Sequence, residues 1–197
     1  LSKYRIIDLS YEMIPGEMKI NGQYLHGEPF VGRTIEVQEF MAYGARMHFI
    51  QSQTHVGTHS ESPYKYEKDG AAPASVPLES YMGEAAACNL THKKAGEPVT
   101  ADDFQKAGVK PRDILIAWGD ASTRPDMPHL SFEAIDWLIK IPIKTLVIEN
   151  LAYAPPGTPA GPNNGDARFI LAGIPIVDNP YGLDQIKNPE FSSWVCR

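Results

Sequence analysis

The segment 54–66, THVGTHSESPYKY, sets His55, His59 and Glu61 close together along the chain. Two neutral imidazoles and a carboxylate make a three-donor face for a divalent ion. Such a face leaves coordination positions open to water or substrate, as catalytic sites do and structural sites do not. An ion held that way brings the pKa of its bound water toward ~7 and polarises a carbonyl. Histidines four apart share a face on a helix, but Val56, Gly57 and Thr58 are poor helix material and Pro63 follows closely. The spacing therefore predicts a loop after a strand, in which Gly57 lets the backbone bend so that both rings converge. His59 and Glu61 are two apart, so a locally extended backbone points them the same way. By itself the pattern also fits polar loop residues that hold nothing.

The elements around the segment divide into two halves. In the first, residues 5–9 (RIIDL), 34–40 (TIEVQEF) and 46–52 (RMHFIQS) read as strands, and the last delivers the chain into the histidine segment. In the second half, helix and strand signals alternate. Residues 100–107 open on Thr100 and two acids, and 131–140 open on Ser131 with apolar Phe132, Ile135, Leu138 and Ile139 on one helical face. A short helix is expected over 166–172, and buried strands over 113–118 (DILIAW), 145–148 (TLVI) and 174–177 (IPIV). This rhythm predicts an α/β fold, a layered domain with a mixed sheet backed by helices. Ligands gather at strand ends and loops in such sheets. With no internal repeat and no Gly/Ser linker, one domain is expected over residues 1–197.

Composition narrows the function classes. The chain has 197 residues and 43% hydrophobic content, enough for a folded core. A net charge of −6 with no basic run argues against nucleic acid and against an anionic membrane surface as partners. No apolar run approaches the roughly 20 residues of a membrane span. Cys88 and Cys196 are too few for a disulfide framework, and LSKYRIIDLS lacks a signal-peptide core, so a cytoplasmic protein is expected.

The histidine segment closely resembles the signature of the cyclase-like metal-dependent hydrolases, the family of bacterial kynurenine formamidase and isatin hydrolase. That signature reads H-x-G-T-H-x-D-x-P-x-H, and residues 55–65 here read HVGTHSESPYK. Two positions depart: the Asp is Glu61 and the last His is Lys65. The opening IIDLSYEMIPG (6–16) and the late FILAGIPIVDN (169–179) are also similar to the family. There, Asp166 stands where the family has a His, and Asp178 stands where it has a Glu.

The resemblance implies a swivelling β/β/α domain, a homodimer or larger homo-oligomer, and divalent zinc or manganese. It implies His55, His59 and Glu61 as ligands of the first ion, with the last motif position and the late pair serving a second ion or the substrate side. A protonated lysine cannot ligate a metal and repels a second cation, so one ion is expected, with Lys65 as a fixed positive charge in the pocket. Other readings of Lys65 are a base, if desolvation lowers its pKa, and a solvated surface lysine. Asp166 is the candidate for proton transfer, or else a helix N-cap. Asp178 serves the substrate side or caps the turn at Asn179. Glu149, at the end of TLVI, is a candidate for orienting a ligand or water, or else for ordinary hydrogen bonding to the backbone; Gln51 and Gln53 are candidates for lining the pocket, or else for packing or solvent contact.

The function expected is a metal-dependent hydrolase in which metal-bound hydroxide attacks an amide or ester carbonyl, including a cyclic one, of a small molecule. The alternatives are a lyase or isomerase acting on a small carboxylic acid, and a non-catalytic family member that binds a small ligand.

Overall fold

The computed structural model describes residues 5–13, 16–17, 19–20, 23–24, 34–123, 126–186 and 191–194. Two of the three strands expected before the histidine segment form one long hairpin. Strand β1, Thr34–Ala42, pairs antiparallel with β2, Ala45–Ser52, from Ile35 opposite Ser52 to Ala42 opposite Ala45. Tyr43 and Gly44 make the turn with φ of 51° and 72°, the left-handed pair that suits the twist of a tight hairpin. Gly16–Glu17 adds a short antiparallel strand on the other side of β1. Residues 5–9 were expected as a strand but form no ladder. Single bonds to loops hold this stretch instead: Leu9 O accepts from Tyr181 N at 2.7 Å, and Tyr11 N donates to Thr58 Oγ1 at 3.0 Å.

A six-stranded sheet carries the rest of the fold. It comprises β3 (His59–Glu61), β4 (Met82–Asn89), β5 (Ile114–Trp118), β6 (Thr145–Glu149), β7 (Ile176–Asp178) and β8 (Phe191–Trp194), in the spatial order β8-β4-β5-β6-β7-β3. The four inner strands are parallel and both edge strands antiparallel, so the sheet is mixed, as expected. DILIAW and TLVI are apolar almost throughout because β5 and β6 are covered on both faces. Leu115, Leu146 and Ile176 face Phe104, Leu138 and Phe169 on one side. Ile114, Ile116, Val147 and Val177 face Tyr81 and Leu183 on the other.

The first face is backed by α1 (Ala101–Lys106), α2 (Phe132–Lys140) and α3 (Gly165–Leu171). Ser131 caps α2 by accepting from Ala134 N at 3.1 Å. The predicted α2 stripe holds for Ile135 and Leu138, both 0% exposed, but Phe132 is 38% exposed. At the first helical position Phe132 points past the sheet, and its ring lies 5.3 Å from the Arg168 guanidinium of α3. Among the described residues no helix is long and apolar enough to cross a membrane.

Candidate metal centre

The loop between β2 and β3 is pinned at several points. Val56 is buried against Ile35 of β1, with Tyr11 packed alongside. Thr58 Oγ1 donates to Asn179 O at 2.6 Å. Gly57 bends the loop at φ 63°, a left-handed conformation that suits glycine. Its carbonyl faces His59 Nδ1 at 2.9 Å. A carbonyl only accepts, so that nitrogen carries the proton, and the Nε2 lone pair of the neutral ring is left to face the site.

Sheet register supplies the next partner. His59 lies directly opposite Asp178 across the β3–β7 ladder, and Glu61 lies two residues on, toward the same face. His55 Nδ1 comes to 2.8 Å from His59 Nε2 and to 3.3 Å from Glu61 Oε1; His59 Nε2 lies 3.6 Å from that same oxygen. One donor atom from each of His55, His59, Glu61 and Asp178 lies within 4.8 Å of the others. The set fits a divalent ion: nitrogen and carboxylate donors converge, and Glu61 Oε2 is buried with no hydrogen-bond partner among the described residues.

Each carboxylate is steadied from behind. Tyr153 OH donates to Asp178 Oδ1 at 2.9 Å and Asn179 Nδ2 to Oδ2 at 3.0 Å. The Tyr153 loop in turn sits against α3 at Gly165, where an added Cβ would fall 1.7 Å from Tyr153 O, so only glycine fits. The predicted cap role of Asp166 belongs instead to Asn164, whose Oδ1 accepts from Gly165 N at 2.6 Å. Asp166, in the first turn of α3, points into the site. Its Oδ2 accepts from Lys65 Nζ at 2.9 Å and from Tyr66 OH at 2.6 Å.

Lys65 ends the single 3-10 turn Pro63–Lys65, four residues after Glu61, and donates to Glu61 Oε1 at 2.6 Å. Its ammonium therefore bridges Glu61 and Asp166. At the position where the resemblance implies a second ion or the substrate side, the structure puts the Lys65 ammonium between these two carboxylates.

The charges respond accordingly. Burial would push the Glu61 carboxyl up, but the His55 and His59 rings and the Lys65 ammonium around it outweigh burial and hold the group well below the usual carboxylate range. Burial would lower the Lys65 pKa, yet Glu61 and Asp166 together raise it above the ordinary lysine value. The ammonium thus stays charged, which counts against Lys65 as a base. Burial would also lower the His59 pKa; Glu61, the Gly57 carbonyl and Asp178 raise it on balance. Asp178 is pushed up, chiefly by burial. Burial and Asp166 push Tyr66 up to about 12, so its hydroxyl remains a donor at neutral pH.

His55, His59 and Glu61 thus meet as the sequence suggested, and Asp178 joins them directly rather than at a remove. Lys65 and Asp166 form an adjoining pair. Glu149 ends β6, one residue past Ile148, which is opposite Asp178; it is half-buried and outside the four-residue group. Gln51 and Gln53 are exposed. Tyr66, Tyr153 and Asn179 escaped the sequence reading. Tyr66 adjoins Lys65 and was open to inspection, whereas Tyr153 sits in a loop whose pattern carries no signal.

Comparison with solved structures places this architecture among known ones. Isatin hydrolase A from Labrenzia aggregata, bound to benzyl benzoate, is 20% identical with a TM-score of 0.68 over 95% of this chain and 84% of that one. A predicted metal-dependent hydrolase from Bacillus stearothermophilus is 17% identical with a TM-score of 0.67 over 95% and 86%. A potential metal-dependent hydrolase with cyclase activity is likewise 17% identical, with a TM-score of 0.67 over 94% and 84%. At these identities the likeness is one of fold. In sequence, residues 7–155 match the model of the Cyclase family, a span that carries the whole histidine segment. The match takes in well over half of the chain, and the protein belongs to the Cyclase family.

Proposed function

We propose that the protein is a metal-dependent hydrolase of amide or ester bonds, cyclic ones included, in small molecules. The carrying observation is the convergence of His55, His59, Glu61 and Asp178 within 4.8 Å. Bound there, a single zinc or manganese ion would supply Lewis acidity to a carbonyl and acidity to a water. The chain's own groups do the rest. Gly57 O fixes the His59 tautomer, while Tyr153 and Asn179 orient Asp178. Lys65 supplies a fixed positive charge toward negative charge developing on an oxygen, and Asp166 is assigned the proton transfer. Family membership and the names of the structural neighbours support the hydrolase class. The lyase or isomerase reading would use the same Lys65 ammonium as a substrate carboxylate clamp, and the isotope experiment below separates it from hydrolysis.

The test uses purified protein loaded with zinc or manganese, assayed on p-nitrophenyl acetate and simple lactams in oxygen-18 water. Wild type is expected to hold one ion per chain and to put solvent oxygen into product, and His55→Ala to lose both. A His55→Ala chain that keeps its ion and its turnover would refute the assignment; product free of the label would point to lyase or isomerase chemistry.

The hairpin supports a homodimer or larger homo-oligomer. Phe40, Met41, Phe49 and Ile50 are 46%, 64%, 55% and 63% exposed on its two faces. Only the two-residue strand Gly16–Glu17 extends the hairpin among the described residues, leaving it close to the two-stranded ribbon that is marginal alone in water, and β2 is an edge strand of its sheet. An exposed apolar edge invites strand addition, and antiparallel pairing of β2 with its own copy satisfies two-fold symmetry.

A further inference from the structure

We propose that Lys65 takes the place of a second cation: its ammonium bridges Glu61 and Asp166, the protein holds one divalent ion, and removing the ammonium opens a second cation site between those carboxylates. The inference rests on the metal-centre reading given above. Three carboxylates, Glu61, Asp166 and Asp178, meet in one buried cluster, with 6%, 6% and 8% of their surfaces exposed. Buried carboxylates persist only when paired or coordinated. One divalent ion and one ammonium balance the three negative charges, whereas a second divalent ion beside Lys65 would leave positive charge in excess.

Geometry makes the two occupants exclusive. Lys65 Nζ lies 2.6 Å from Glu61 Oε1 and 2.9 Å from Asp166 Oδ2. An ion bridging the same oxygens at about 2.0–2.2 Å would need that point in space. The carboxylates also keep unused capacity, since Glu61 Oε2 and Asp166 Oδ1 are both buried with no hydrogen-bond partner among the described residues. Tyr66, the other donor to Asp166 Oδ2, gives a neutral hydroxyl. The Lys65 side chain is 33% exposed, so its removal leaves an entry path from solvent.

The experiment counts ions by inductively coupled plasma mass spectrometry and by calorimetric titration with Mn²⁺ after chelator treatment. It compares wild type, Lys65→Met, Lys65→Arg and Lys65→Met/Asp166→Asn, with circular dichroism as the check on folding. One ion per chain is expected for wild type, for Lys65→Arg, which keeps a cation in place, and for the double variant. Two are expected for Lys65→Met. If Lys65→Met is unfolded without metal, millimolar Mn²⁺ should restore its circular dichroism. Two ions in wild type, one ion in a folded Lys65→Met, or a Lys65→Met chain that Mn²⁺ does not rescue would each overturn the proposal. No ion in wild type would instead overturn the metal-centre reading itself, so the two failures are told apart.

Discussion

Tyr153→Phe tests the site at a residue that touches no proposed ion. The ring stays, so packing is nearly unchanged, and only the hydroxyl that donates to Asp178 Oδ1 at 2.9 Å is lost. Asp178 retains the Asn179 bond to its other oxygen at 3.0 Å. A hydrogen bond to a charged acceptor contributes about 1.5–3 kcal/mol. At about 1.4 kcal/mol per tenfold, its full loss would weaken ion binding by roughly 10- to 100-fold. The usual effect of losing a group behind a metal ligand is of the same size, about 10–100-fold. Without metal the effect is smaller. Burial already disfavours the Asp178 carboxylate and raises its pKa, so less is lost with the hydroxyl when no ion is bound. Apo stability should fall by about 1 kcal/mol, which is a Tm drop of roughly 2–4 °C for a chain of this size. The assay is competition with a chelating dye for Zn²⁺, beside thermal melts of metal-free protein. An ion affinity within twofold of wild type refutes the orienting role, and a Tm drop without an affinity change would leave Tyr153 a packing residue.

Two further outcomes are expected. Changing Phe49 and Ile50, 55% and 63% exposed on β2, to Ser and Asp should convert a dimer to a monomer in sedimentation velocity; a wild-type monomer, or a variant that stays dimeric, counts against the hairpin as the interface. Asp103, in the first turn of α1, accepts from Thr100 N and Lys93 Nζ at 2.8 and 3.0 Å. Burial raises its pKa, but these bonds outweigh it and hold it below the ordinary value. A depressed carboxyl stabilises the fold above its unfolded pKa of ~3.9 and loses that contribution as pH falls through its folded pKa. Asp103→Ala should therefore cost about 1 kcal/mol at pH 7 in urea melts, with the gap to wild type closing toward pH 2; a gap constant over that range refutes the linkage.

What could be read from the sequence was local. His59 and Glu61 share a side because alternation along an extended backbone is a two-residue rule, and Gly57 marks the bend because few other residues take φ 63°. DILIAW and TLVI announce buried strands because continuous apolar runs of that length have few other uses. RIIDL misled, because its alternation is satisfied by packing Leu9 against the sheet's second face with no ladder at all. MGEAAACN gave no strand signal, since alanine favours helices; it nonetheless forms β4, where small residues lie between β5 and β8.

The non-local part of the site depends on topology, and there the sequence is silent by its nature. Asp178 meets His59 only because β7 and β3 are adjacent with one particular register, and a slip of one residue would turn Asp178 to the opposite face. Asp166 reaches Lys65 across 101 positions of chain because α3 is seated by the one residue, Gly165, that can approach Tyr153 O so closely. Lys65 shows both limits at once. Its type is visible in the sequence and puts a cation where the resembled signature has a histidine. That the ammonium lies between two buried carboxylates follows only from where two distant segments are brought together. The consequence is physical: with one divalent ion bound, a chain that kept Lys65 but lost Asp166 would be left with positive charge in excess, and one that lost Lys65 alone with negative charge in excess. The two positions therefore have to be read, and mutated, as a pair.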